Sequence, residues 1–165
     1  MMKVLRAGSI VLCLILLGAC GFRPLYATTG TTGPVAAQLA SVTIPAPDSR
    51  LGQIIRNDLL SAMRPAGQAG DNLYVLTLKP VVKNSDIIET SQPLARRQSL
   101  TVSVDFQLFE GKTVRYSGKT FSQVSYDVIR EPFADAQALN NAQDRAAHEL
   151  GADIRTRLAS FFATH

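Results

Sequence analysis

The chain has 165 residues, with 17 Lys and Arg against 13 Asp and Glu, and a formal net charge of +4. That length suits one domain with its own core. Two cysteines and two histidines leave little for a metal cluster or a disulfide framework, and the modest charge does not demand nucleic acid.

Lys3 and Arg6 give a positive start, and Ile10 to Leu17 is an unbroken apolar run ending in the small residues Gly18 and Ala19. These are the parts of a secretory signal peptide. The run is too short for a membrane span, which needs roughly 20 apolar residues. Leu17-Gly18-Ala19-Cys20 resembles the bacterial lipobox, in which the cysteine thiol takes a diacylglycerol and cleavage follows just before it. The plain alternative is an ordinary cleaved signal followed by a chance cysteine. The expected organisation is a signal peptide over 1–19, a lipidated tether over 20–40 and one domain over 41–165. Cleavage would remove Cys13, Lys3 and Arg6, leaving 15 basic against 13 acidic residues. An acylated Cys20 would leave the mature chain without a free thiol or a disulfide, so its domain must be held by its core. Acyl chains would anchor it to a membrane face.

Ala27 to Pro34 is rich in Thr and Gly without a period and reads as tether. Before it, Phe22, Leu25 and Tyr26 are unusual in a linker. They suit either the lipid headgroup region or a partner protein. Cys20-Gly21-Phe22-Arg23-Pro24-Leu25-Tyr26, directly after a lipobox, resembles the start of the LPS-assembly lipoproteins, the LptE family.

Ser41 to Pro45 alternates and is β-branched, which predicts a short strand, with Pro45 suited to a sheet edge. Asp48 or Ser49 can cap a helix whose apolar stripe is Leu51, Ile54, Ile55, Leu59 and Met63, with Asp58 at its margin. Core packing explains that stripe better than a partner groove does. Arg64-Pro65-Ala66-Gly67 ends the helix. A strand follows from Leu73 to Val82, with Tyr74, Leu76, Leu78 and Val82 on one face. It continues to Ile87 and Ile88 if Lys83 to Asp86 form a bulge or bend. Ser91-Gln92-Pro93 predicts a turn.

Gln98 to Phe109 is the cleanest strand: Leu100, Val102, Val104, Phe106 and Leu108 on one face, Thr101, Ser103, Asp105 and Gln107 on the other. Such alternation predicts an antiparallel sheet covered on one side only. Glu110-Gly111-Lys112 turns the chain into a strand over Thr113 to about Tyr126. Centring the hairpin on Gly111 puts Leu108 and Val114 on one face, with Tyr116, Val124 and Tyr126 also inward, and Gly118 marks a bulge. Glu131-Pro132 opens a helix reaching about Phe162, with an alanine-rich stripe. The fold expected is α+β, a two-layer sandwich of a four-stranded, mostly antiparallel sheet with two helices on one face. This agrees with the order of elements that the LptE resemblance implies.

No catalytic constellation is present. His165 is the last residue and His148 lies mid-helix among alanines, more a surface residue than a catalyst. No nucleophile elbow, phosphate loop or dinucleotide fingerprint occurs, and Asp127 and Glu131 flank a turn without support. The chain is therefore expected to be no enzyme, with no cofactor and no metal. For binding, the hairpin should bring Arg96, Arg97 and Arg130 to one end of the sheet, where guanidinium forks can grip phosphate. Pairing of these arginines with Asp127 and Glu131 is the competing reading. Arg115 and Lys119 on the polar face form a second candidate, with Asp105 as a local partner.

The LptE resemblance implies an outer-membrane lipoprotein on the periplasmic face. It would partner the LptD β-barrel, sit in its lumen and help deliver lipopolysaccharide to the outer leaflet. Gly21 in place of an acidic residue after the lipid cysteine is compatible with outer-membrane sorting. The polar face of the sheet suits a polar lumen, and the arginines suit the phosphates of lipopolysaccharide. An auxiliary lipoprotein of an ABC-type lipid transporter is the second reading, and a lipoprotein hydrolase a third that lacks its catalytic residues.

Overall fold

The computed structural model describes residues 34–64, 70–87, 96–128 and 130–164. The leader with Cys20, the Gly21–Tyr26 motif, Pro65 to Gly67, Ile88, the Ser91–Pro93 turn and His165 lie outside them. The elements are α1 (Pro34–Ala40), β1 (Val42–Thr43), α2 (Arg50–Met63), β2 (Tyr74–Ile87), β3 (Arg96–Glu110), β4 (Thr113–Val128) and α3 (Pro132–Thr164). The four strands form one sheet in the order β1-β2-β3-β4. β1 runs parallel to β2 because α2 carries the chain back to the same end. The other two pairs are antiparallel.

Local chemistry sets most boundaries as read from sequence. Ser49 caps α2, its Oγ accepting the Gly52 N–H at 3.1 Å, and Pro132 opens α3 where its missing N–H costs nothing. Gly111, at φ 58°, occupies the left-handed position of the β3–β4 turn, which a Cβ would strain. Alternation places Leu100, Val102, Val104, Phe106 and Leu108 of β3 under the helices, none more than 1% exposed. α2 adds Ile55 and Leu59, and α3 adds Leu150, Ile154 and Leu158. Ala146, Ala147 and Gly151 are buried on α3. A Cβ on Gly151 would lie 3.4 Å from Asp58 Cβ, so small residues let the two helices approach closely. Tyr116 stacks on Phe161 at 5.1 Å between ring centres and Tyr74 tilts against Phe162 at 5.1 Å, closing the hairpin end of the core.

The structure corrects several details. α1 lies inside the stretch expected as tether. Leu39 is buried against the other helices, and that apolar contact explains why so short a segment folds. β2 keeps one register from Tyr74 to Ile87, so Lys83 to Asp86 pair in sequence with β3 and form no bulge. Val82 is exposed, although Val102 beside it on β3 is buried under the helices. The irregularity in β4 sits at Arg115, not Gly118: Leu108 pairs with Tyr116 while Phe109 pairs with Val114. The extra residue turns Val114 out of the core, and it is 46% exposed. Gly118 instead faces Phe106, whose Cζ would be 2.5 Å from an added Cβ.

Candidate functional site

With the helices on one face, the other face of the sheet remains open. Its side chains come from the odd-numbered positions of β2 and β3 and of β4 beyond the bulge. The row across its centre is Lys79, Asp105 and Lys119, in register on three adjacent strands. Lys119 Nζ lies 3.6 Å from Asp105 Oδ1, so one carboxylate serves a row with two lysines. The next row toward the hairpin is Thr77, Gln107 and Ser117, and the two rows line a shallow cavity of about 300 Å³. On the other side, Val81, Ser103 and Phe121 form an apolar–polar–apolar row, with Phe121 70% exposed. At the hairpin, Arg115 Nε reaches Glu110 Oε2 at 3.3 Å.

The register brings the expected arginine cluster to one end. Arg97 lies opposite Asp127 and Arg96 opposite Val128, and Arg130 follows β4 as an exposed residue before α3. The backbones of all three meet there. Arg97 Nε bonds Asp127 Oδ1 at 3.0 Å, so for this residue the local ion pair forms. Both partners are about half exposed or more, and an exposed pair of this kind contributes only about 0–1 kcal/mol. Arg115 and Lys119, the second candidate, are likewise paired and exposed.

Periodicity alone did not single out Lys79 or Phe121. Lys79 is on the open face by alternation, but only strand pairing sets it beside Asp105 and Lys119. Phe121 looks like a core residue by type, and its odd position in β4 is the one signal that places it outside.

The covered face contains polar residues too. Thr120 Oγ1 donates to Asp153 Oδ2 at 2.5 Å and Ser122 Oγ to Glu149 Oε2 at 2.6 Å, fastening β4 to α3. His148 Nδ1 lies 2.5 Å from Asp58 Oδ2 across the α2–α3 contact, with its side chain 66% exposed, as a boundary residue would be. Among the described residues no group of three or more His, Cys, Asp and Glu is placed to hold a metal ion. No described helix is long and apolar enough to cross a membrane.

Solved structures of similar fold include three whose names describe lipoproteins. The chain resembles a protein of Caulobacter crescentus CB15 described as a lipoprotein, with 28% identity and a TM-score of 0.64, over 79% of this chain and 97% of that one. A minor lipoprotein of Acinetobacter baumannii shares the fold at 15% identity and a TM-score of 0.54, covering 72% and 88%. The rare lipoprotein B of Shewanella oneidensis does so at 16% and 0.55, covering 74% and 95%. A search of the curated proteins gave no match. Residues 38–159, spanning every strand, α2 and most of α3, match the LptE lipopolysaccharide-assembly family, and the chain belongs to that family.

Proposed function

We propose that this chain is exported, cut before Cys20, acylated there and held at the periplasmic face of the outer membrane. It partners an LptD-like β-barrel in carrying lipopolysaccharide to the outer leaflet. The observation that carries this reading is the two-sided sheet. One face is packed by α2 and α3, while the other is open and mainly polar, with Lys79, Lys119 and Arg97 on it. A domain seated in a barrel lumen needs a polar surface of this kind, because the lumen is polar. The arginines at the sheet end offer bidentate donors to phosphorylated sugar. The role is one of binding and plugging, with no covalent chemistry on substrate.

The test is purification of the tagged full-length chain from detergent-extracted envelopes, followed by mass spectrometry of its amino terminus and of the proteins that accompany it. The reading requires an acylated Cys20 as first residue and a large β-barrel in equal amount. An unmodified thiol or an intact leader would remove the anchor. A co-purifying inner-membrane transporter in place of the barrel would favour the auxiliary-lipoprotein reading.

A further inference from the structure

The arginines of the helix layer already have partners. Arg50 pairs with Asp144 at 3.3 Å and Arg157 with Asp153 at 2.8 Å. Arg56 donates to the carbonyl of Ile44, Arg64 to those of Ala40 and Val42, and Arg145 to that of Ser125. The open face of the sheet is different. Lys79 and Lys83 on β2 are exposed, and among the described residues neither has a charged partner within ion-pair distance. Asp105, opposite Lys79, pairs with Lys119 instead.

Between the two lysines, Val81 is 46% exposed, and across Ser103 from it Phe121 is 70% exposed. An apolar centre with an aromatic side chain, flanked by charge, has the layout of a docking surface. Lys79, Val81 and Lys83 take alternate positions of one strand, so their side chains repeat about every 6.7 Å along it. Val81 and Phe121 stand two strands apart, about 9.6 Å. The short side chain of Ser103 leaves a notch between them.

We infer that this stripe seats a strand of the barrel wall whose lumen-facing side chains run acidic, apolar, acidic. The inference rests on the lumen-seated reading above, and adds which face meets the wall and what chemistry the wall presents there. A wall strand turns alternate residues into the lumen, so its inward side chains carry the same repeat as the β2 stripe. Two carboxylates then meet Lys79 and Lys83, while the side chain between them enters the notch over Ser103, against Val81 and Phe121. Facing sheets pack about 10 Å apart, which sets side chains of both in contact. The charges fix the register of the wall strand, and the apolar centre excludes water from it. A second copy does not fit the stripe, because face to face about Val81 its Lys83 would meet Lys79, like charge on like.

The test uses the tagged full-length chain, extracted from envelopes together with its barrel. A photo-reactive phenylalanine analogue at position 121 should cross-link to the barrel, and peptide mass spectrometry should place the attachment beside an Asp or Glu on a wall strand. Lys79→Glu combined with Lys83→Glu should lower the recovered barrel by about tenfold or more, with circular dichroism and melting temperature close to the parent's. Lys112→Glu, an equal change of charge at the exposed hairpin turn, should leave recovery unchanged. If the double reversal does not fold, Lys79→Gln with Lys83→Gln makes the same comparison. Unchanged recovery with folded variants, or an equal loss with Lys112→Glu, would overturn the inference while the barrel still accompanies the parent. So would attachment from position 121 to lipid, to a second copy or to residues 20–33 of the same chain. A parent that brings no barrel removes the lumen-seated reading, and this inference with it.

Discussion

Arg64 Nη2 donates to the carbonyl oxygen of Val42 at 2.6 Å, while Nε of the same guanidinium donates to Ala40 at 3.0 Å. Arg64 ends α2, its own N–H bonded to Leu60 O at 2.9 Å, and from there it closes the open side of the two-residue strand β1. Its planar fork spans two carbonyls, which an ammonium cannot do. Arg64→Ala should destabilise the fold by about 1.5–3 kcal/mol, the range for hydrogen bonds to a charged group. Arg64→Lys should recover only part. Chemical denaturation of both variants measures this, and a loss within experimental error for Arg64→Ala would show that β1 holds without the clamp.

Ser122 and Glu149 provide a second test. Ser122 is 2% exposed, and its hydroxyl depends on the Glu149 carboxylate. Glu149→Ala leaves that hydroxyl buried and unmatched, at about 1–3 kcal/mol. Removing both groups should cost less than the two single losses added together. A double-mutant cycle reads the coupling directly, and strict additivity would mean that the bond contributes nothing.

Gly118 has room for no side chain. A Cβ there would sit 2.5 Å from Phe106 Cζ, and Phe106 is 1% exposed and hemmed in by the core. Gly118→Ala should lower stability by about 1–3 kcal/mol through overpacking. Adding Phe106→Leu should restore part of it by opening space. Thermal melts of the single and double variants make the comparison, and a neutral Gly118→Ala would mean that the ring moves aside freely.

Replacing Arg96, Arg97 and Arg130 together by Ala should weaken lipopolysaccharide binding by about tenfold or more, equivalent to about 1.4 kcal/mol. Folding should change little, because the Arg97–Asp127 pair is exposed. Calorimetry or fluorescence with purified lipopolysaccharide, beside a melting curve, separates the two effects. Unchanged affinity would leave the arginines as surface residues.

Much of this architecture is written locally. The strict alternation from Leu100 to Leu108, the capping Ser49, the turn at Gly111 and Pro132 at the head of α3 are short-range signals. Each acts through the backbone of its own segment, so the order of elements and the covered face of β3 could be read from residues alone. What lay beyond reach depends on neighbours distant in sequence. Leu39 gives α1 a reason to fold only because α2 and α3 pack beside it. Thr120 and Ser122 are polar by type yet buried, since Asp153 and Glu149 arrive from α3 to match them. The bulge at Arg115 shifts the register by one residue and sends Val114 outward, which shows only once β3 and β4 are paired. The site divides in the same way. Sequence brought Arg96, Arg97 and Arg130 to one sheet end, because a hairpin must join the start of one strand to the end of the next. Only pairing across three strands put Lys79, Asp105 and Lys119 in one row, because a strand's own pattern states which face a residue takes and not which residue stands beside it.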